Sequence, residues 1–223
     1  MKRAVSGCLF LGVQLGVTLA LVGCFGNEST VFPPGLDPLG DNELSGPGTE
    51  ADPHPEAFEV EGIEGGRYDT MLGRGYVHAP PIDVWNAFRE PIVSVDRRRT
   101  AEWSSDRNDG SGYDDSYVVH HVVHDLVTVE WSVTWRHGVV TGTLDAPELV
   151  SIRWQKTEGS TLISRIEGSI LLRPVGDGSI TEIELVYHTR SVGAGVAEQR
   201  LYLEDVYNNV VALAHGEPLP PVD

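Results

Sequence analysis

The stretch VTVEWSVTW, residues 127–135, constrains this chain more than any other. Val127, Val129, Trp131, Val133 and Trp135 fall on one side of an extended backbone; Thr128, Glu130, Ser132 and Thr134 fall on the other. Successive side chains of a strand point to opposite faces, so strict alternation describes a sheet with one buried face and one wet face. The pattern recurs at 150–154, where Val150, Ile152 and Trp154 alternate with Ser151 and Arg153. It recurs at 162–172, with Ile166, Gly168 and Ile170 inward, and at 181–189, with Ile183, Leu185 and Tyr187 inward and Glu182, Glu184 and His188 outward. GDG at 176–178 predicts a hairpin turn between the last two strands.

A one-sided sheet needs a cover. In GAGVAEQRLYLEDVYNNVVALAHG, residues 193–216, Val196, Leu203, Val206, Val210 and Leu213 form a stripe at three- and four-residue steps. His215-Gly216 predicts the helix end. A helix near 20 residues long with one apolar face must lie on the sheet. Upstream, MLGRGYVH at 71–78 predicts a strand. APPIDVWNAF at 79–88 predicts a helix, with prolines at its entry and Asp83 at its positive end. Its Val84, Trp85 and Phe88 share an apolar face. VSVDRRRTAEW at 93–103 predicts a second short helix. The element order is that of an α+β domain.

The N-terminus addresses the chain. Lys2 and Arg3 precede an uncharged run from Ala4 to Val22, and Leu21-Val22-Gly23-Cys24 closes it. A basic start, an apolar core and a small residue before the cut describe a secretory leader over 1–23. Its end resembles the lipobox of bacterial lipoproteins, in which the cysteine is acylated and becomes the mature N-terminus. The alternative is an uncleaved membrane anchor, although a span needs about 20 apolar residues. Either reading tethers the chain to a membrane outside the cytoplasm, and the lipobox resemblance implies a bacterial cell envelope with Cys24 as the lipid attachment site. Cys8 leaves with the leader and a lipidated Cys24 cannot pair, so no disulfide is expected.

Cleavage removes Lys2 and Arg3 and leaves 33 acidic against 14 basic side chains, a net charge of −19. Nucleic acid is therefore not an expected partner, because its binding requires neutralised phosphates. Anionic lipid would be repelled too, leaving membrane attachment to the acyl anchor. Arg97-Arg98-Arg99, the one basic cluster, is expected to be a solvated surface. Residues 24–69 are rich in Pro, Gly, Asp and Glu without hydrophobic periodicity, and read as a disordered acidic linker reaching about 35 Å. The domain is expected over 70–216, with a tail at 217–223.

Val77-His78-Ala79-Pro80-Pro81, with Val84-Trp85 and Phe88, resembles the "APxxxVW" strand-end signature of the START-like, or helix-grip, superfamily. That superfamily includes polyketide cyclases, coenzyme Q-binding proteins and lipid-transfer domains. The resemblance implies an antiparallel sheet curved around the long C-terminal helix, with an apolar cavity between them. It picks out no subfamily and carries over no catalytic residue. The pocket-lining candidates are His121, Trp131, Trp135, Trp154, Ile166 and Tyr187 from the sheet, and Leu203, Val206 and Val210 from the helix. A buried indole N–H needs a partner, so the tryptophans are either core filling or cavity wall. Gly168 on the inner face is either a strand bend or room left for the helix or a ligand.

YVVHHVVHD, residues 117–125, places three histidines beside Asp125. On a helix His120 and His124 would be neighbours. The valines favour a strand, where residues four apart are separated by about 13 Å, whereas zinc ligands lie within about 4 Å of one another. No metal and no cofactor are expected. Inward parity continued from 127–135 would aim His121 at the cavity, with His120 and His124 outward. His121 and Asp125 are then a candidate acid–base pair. The loop DRNDGSGYDD, 106–115, fails the EF-hand spacing and reads as a mobile acidic loop.

These features favour binding of a hydrophobic small molecule, lipid or quinone-like, beside a membrane. A cyclase- or hydrolase-type enzyme and a non-enzymatic interaction module are the alternatives. The oligomeric state is open.

Overall fold

The computed structural model describes residues 26–107, 110 and 112–222. The leader, Cys24, and Asn108, Asp109 and Ser111 of the acidic loop lie outside the described residues. Among the described residues no helix is long and apolar enough to cross a membrane.

Among the described residues nine strands form one antiparallel sheet: β1 (Asn27–Ser29), β2 (Phe58–Ile63), β3 (Asp69–Val77), β4 (Glu102–Asp106), β5 (Asp115–His124), β6 (Thr128–Gly142), β7 (Pro147–Ser160), β8 (Ile163–Val175) and β9 (Ile180–Ser191). Their order is β2-β3-β9-β8-β7-β6-β5-β4, and β1 pairs with the end of β7. Helix α1 (Pro81–Phe88) follows β3, and helix α2 (Val196–Ala214) closes the fold. This is the expected sheet curved around a C-terminal helix. The alternation holds along every strand that carried it: Val133, Trp135, Val150, Ile152, Trp154, Ile170, Ile183, Leu185 and Tyr187 are all buried. The GDG turn joins β8 to β9 with positive φ at Gly176 and Gly178, where glycine carries no Cβ penalty.

The helix stripe divides by position. Leu203, Val206 and Val210 are buried in the main core, each contributing about 1.5–3 kcal/mol. Phe58 stacks on Tyr207 with ring centroids 5.0 Å apart, and the Tyr207 hydroxyl donates to Tyr76 O at 2.7 Å. Helix α1 is held against the sheet by Tyr117, whose hydroxyl donates to Phe88 O at 3.0 Å, and by Thr181 donating to Ala79 O at 2.7 Å. His215 ends α2 and contacts Glu56 Oε1 at 2.8 Å.

Three expectations are corrected. The first is the linker: residues 27–63 are a strap crossing the outer face of the sheet, with β1 and β2 at its two ends. Thr30 Oγ1 donates to Lys156 O at 2.6 Å, Arg136 to Pro33 O at 2.9 Å, Ser151 to Leu36 O at 2.5 Å and Arg153 to Asp37 O. Leu39 N donates to Ser169 Oγ at 2.8 Å, and buried Asn42 Nδ2 donates to Gly73 O and Leu185 O. A proline-rich strap keeps its carbonyls free as acceptors, and the sheet's outward polar side chains reach them. The domain therefore includes residues assigned to the linker.

Second, the helix expected at 93–103 is absent. A 3-10 turn spans Pro91–Ser94, Asp96 caps the next turn by accepting from Arg98 N at 3.1 Å, and β4 then pairs with β5 along its backbone. Third, the arginine cluster is not simply solvated. Arg97 donates to Asn209 Oδ1 and Pro220 O, both at 2.8 Å, which also docks the tail, and Arg98 pairs with Asp205 at 3.1 Å. β5 and β6 are the two strands of one hairpin. A tight turn over 125–127 separates them without Gly or Pro, and pairing His121 with Trp131 and Val119 with Val133 preserves the parity.

Asn42→Ala removes the two donors that fasten the strap to β3 and β9. It should lower unfolding free energy by about 1–3 kcal/mol, read as a shifted urea midpoint with an unchanged slope.

Candidate ligand-binding cavity

The sheet is longer than the helix stripe that covers it. While Val196 at the helix start packs on β2 beside Gly62, a cavity of about 320 Å³ beneath Glu198, Gln199 and Tyr202 of α2 separates the helix from β5 to β9. Its floor is the inner face: His121 from β5, Val129, Trp131, Val133 and Trp135 from β6, Trp154 from β7, Ile166 from β8, Tyr187 and Thr189 from β9. Glu198, Gln199 and Tyr202 of α2 form the roof, and the tips of two loops, with Leu126, Val127 and Val192, form the mouth.

Six of the expected residues therefore meet at one site: His121, Trp131, Trp135, Trp154, Ile166 and Tyr187. Leu203, Val206 and Val210 do not. They lie further along α2, where the helix packs directly on core side chains and leaves no space. Tyr202 takes their place, and its hydroxyl donates to Ser94 O at 3.0 Å. Helical periodicity alone marks which side of α2 is apolar, not where along it the sheet falls away.

The wall is an array of rings. His121 stacks on Trp131 at 5.0 Å and 8°, and Trp135 on Trp154 at 4.6 Å and 14°. Tyr187 touches both Trp154 and Tyr202, at centroid distances of 6.0 and 6.3 Å. Trp154 can lie flat only because Gly168 faces it across the β7–β8 pair: a Cβ there would sit 2.0 Å from Trp154 Cζ2. Gly168 thus makes room for an indole of the wall rather than for the helix.

Among the described residues, the buried wall atoms His121 Nδ1 and Trp135 Nε1 have no hydrogen-bond partner. Burial pushes the His121 imidazole down to about 3, helped by the neighbouring His120, so the ring is neutral at pH 7. Burial also holds the Tyr187 and Tyr202 hydroxyls protonated, well above the usual phenol range. Asp125 also lines the cavity, but it sits in the turn after β5, and among the described residues no hydrogen bond or ion pair joins it to His121. The acid–base pair is therefore not assembled. His120 and His124 face away, toward Ser132 Oγ and Thr128 Oγ1, both at 3.2 Å. Among the described residues no group of three His, Cys, Asp or Glu could hold a metal ion.

His137 was missed, although continuing the parity two residues past Trp135 reaches it. It is fully buried beside Tyr117 and Trp135, neither ring nitrogen has a partner among the described residues, and burial pushes it down to about 3. It lies in the core behind the wall.

No protein-family model matches the sequence, and no curated protein does. Solved structures share its outline. TTHA0849 from Thermus thermophilus is 12% identical over 66% of this chain and 97% of its own, with a TM-score of 0.48. The Zhui aromatase/cyclase from Streptomyces sp. R1128 is 17% identical over 67% and 94%, at 0.44. The lipid transfer and protein localization domain of human StarD13 is 12% identical over 76% and 87%, at 0.48. At these identities and scores the likeness concerns the path of the chain alone.

Two outcomes follow from this packing. Gly168→Ala should push Trp154 off the sheet, altering the near-UV circular dichroism of the Trp135–Trp154 pair and costing about 1–3 kcal/mol of stability. His137 takes up a proton near pH 6.5 when unfolded but only near 3 when folded, so its stabilisation is present above about 6.5 and lost as pH falls. Between pH 6 and 5 the His137→Leu chain should lose about 1 kcal/mol less than the wild type in urea unfolding.

Proposed function

We propose that this protein is an envelope lipoprotein that binds one hydrophobic small molecule, a single-chain lipid or a quinone-like ring, in the cavity under α2. The observation that carries the reading is the wall itself: stacked rings around about 320 Å³, with a neutral His121 among them. At about 30 Å³ per water-sized unit the space takes about ten such units. That suits a ring with a short tail or one stretch of acyl chain, and is too small for a two-chain phospholipid. The aromatic faces supply apolar contact. The lipobox at Leu21–Cys24 supports placement at a membrane, where such ligands partition.

Solvent extraction of the purified full chain followed by mass spectrometry should release a stoichiometric apolar compound. Titration with a short-chain benzoquinone or a single-chain fatty acid should give saturable quenching of tryptophan emission. Ile166→Trp, which fills the cavity from its floor, should reduce that affinity at least tenfold while leaving far-UV circular dichroism unchanged. If neither class binds saturably and nothing is extracted, the reading fails. Metabolic labelling with palmitate should mark the wild type and not Cys24→Ala.

A further inference from the structure

The leader and Cys24 lie immediately before β1, and β1 is not free to move. Asn27, Glu28 and Ser29 pair with Ser160, Gly159 and Glu158 of β7. Gly26 O accepts from Thr161 N at 3.1 Å. Lys156 is buried, donates Nζ to Ser160 O at 2.9 Å and Ile163 O at 2.7 Å, and meets Glu28 at 3.7 Å, so it bolts β1 to the β7–β8 hairpin. That hairpin belongs to the cavity mouth: Leu162 and Ile163 line the cavity, and Leu162 O accepts from Val192 N at 2.9 Å. Cys24 precedes Gly26 by only two residues in the sequence.

Around the same mouth stand three exposed apolar side chains, Leu126 at 98%, Val127 at 44% and Val192 at 76% exposure, all lining the opening. Leu126 and Val127 form the β5–β6 tip, and Val192 sits on the loop entering α2. Exposed apolar groups clustered at a pocket opening mark an interaction site.

We propose that the mouth of the cavity rests on the bilayer surface, with Leu126, Val127 and Val192 dipping into the acyl boundary and β1 acting as the clamp that sets this orientation. The inference rests on the reading of Cys24 as the anchor. The occupant is a lipid surface because the anchoring segment emerges at this end and no other; a strap pinned at β1 brings the anchor to the mouth and leaves no long tether. The ligand would then pass between bilayer and cavity without crossing water. The net charge of −17 on the whole chain predicts a preference for zwitterionic over anionic lipid.

The test uses the full acylated chain in phosphatidylcholine vesicles, with a polarity-sensitive nitrobenzoxadiazole dye on Leu126→Cys, Val192→Cys or, at the opposite end of the sheet, Leu144→Cys. Dyes at 126 and 192 should shift to the blue and be quenched at least twofold by nitroxide-labelled lipid, and the dye at 144 should do neither. Glu28→Arg, which repels Lys156 at the clamp, should weaken the quenching at 126 while flotation with vesicles persists. Flotation with all three dyes aqueous overturns the orientation and leaves the anchor reading standing. Absence of flotation overturns both. A blue shift that tracks protein concentration and ignores nitroxide lipid assigns the rim to a second copy of the chain, and also overturns the proposal.

Discussion

Trp154 lies flat on the backbone of Gly168, and the cavity wall is built outward from that contact. With the indole seated, Trp135 stacks on one side and Tyr187 meets the other, and each ring lies on a different strand. The array therefore depends on the register of β6, β7, β8 and β9 together. A slip of one residue in any of them would turn its inward set to the outer face. The wall and the fold are specified by the same constraint, the period of two along the strands.

That period is why so much was legible in the sequence. It needs no knowledge of partners, so the inward set Trp131, Trp135, Trp154, Ile166 and Tyr187 could be read strand by strand. His121 was reached by the same parity, although through a hairpin and not a continuous strand. The helical stripe was equally plain, but the place where α2 leaves the sheet depends on strand length and curvature, which no local pattern encodes. Leu203, Val206 and Val210 therefore became core, and Tyr202 became wall.

The strap was illegible for a different reason. Its attachments run from outward serines and arginines of the sheet to carbonyls of an irregular segment, and any residue supplies a carbonyl. Composition alone made residues 27–63 look unstructured, because they bury little apolar surface: Phe32 and Val60 are the buried hydrophobic residues there. Polar Ser151 and Ser169 are almost as buried as the core, yet sit on the face that alternation assigns to water. The strap occupies that face, so much of the surface an interaction module would have offered is already taken by the chain itself. Arg97 and Arg98 show the same limit, since their partners Asn209, Pro220 and Asp205 are distant in sequence and no local pattern joins them.

The strap has a consequence for the order of assembly. Thr30 bonds to a residue 126 positions later and Leu39 to one 130 positions later, so the earliest segment of the domain in the chain is among the last to find its place. Closing such loops before the intervening strands exist would cost entropy without reward. The sheet must form while its outer face is still wet, and its serines, arginines and glutamine tolerate that interval because water satisfies them until the carbonyls arrive. A polar outer face under a late-arriving cover leaves no sticky intermediate, whereas an exposed apolar sheet would associate with other chains.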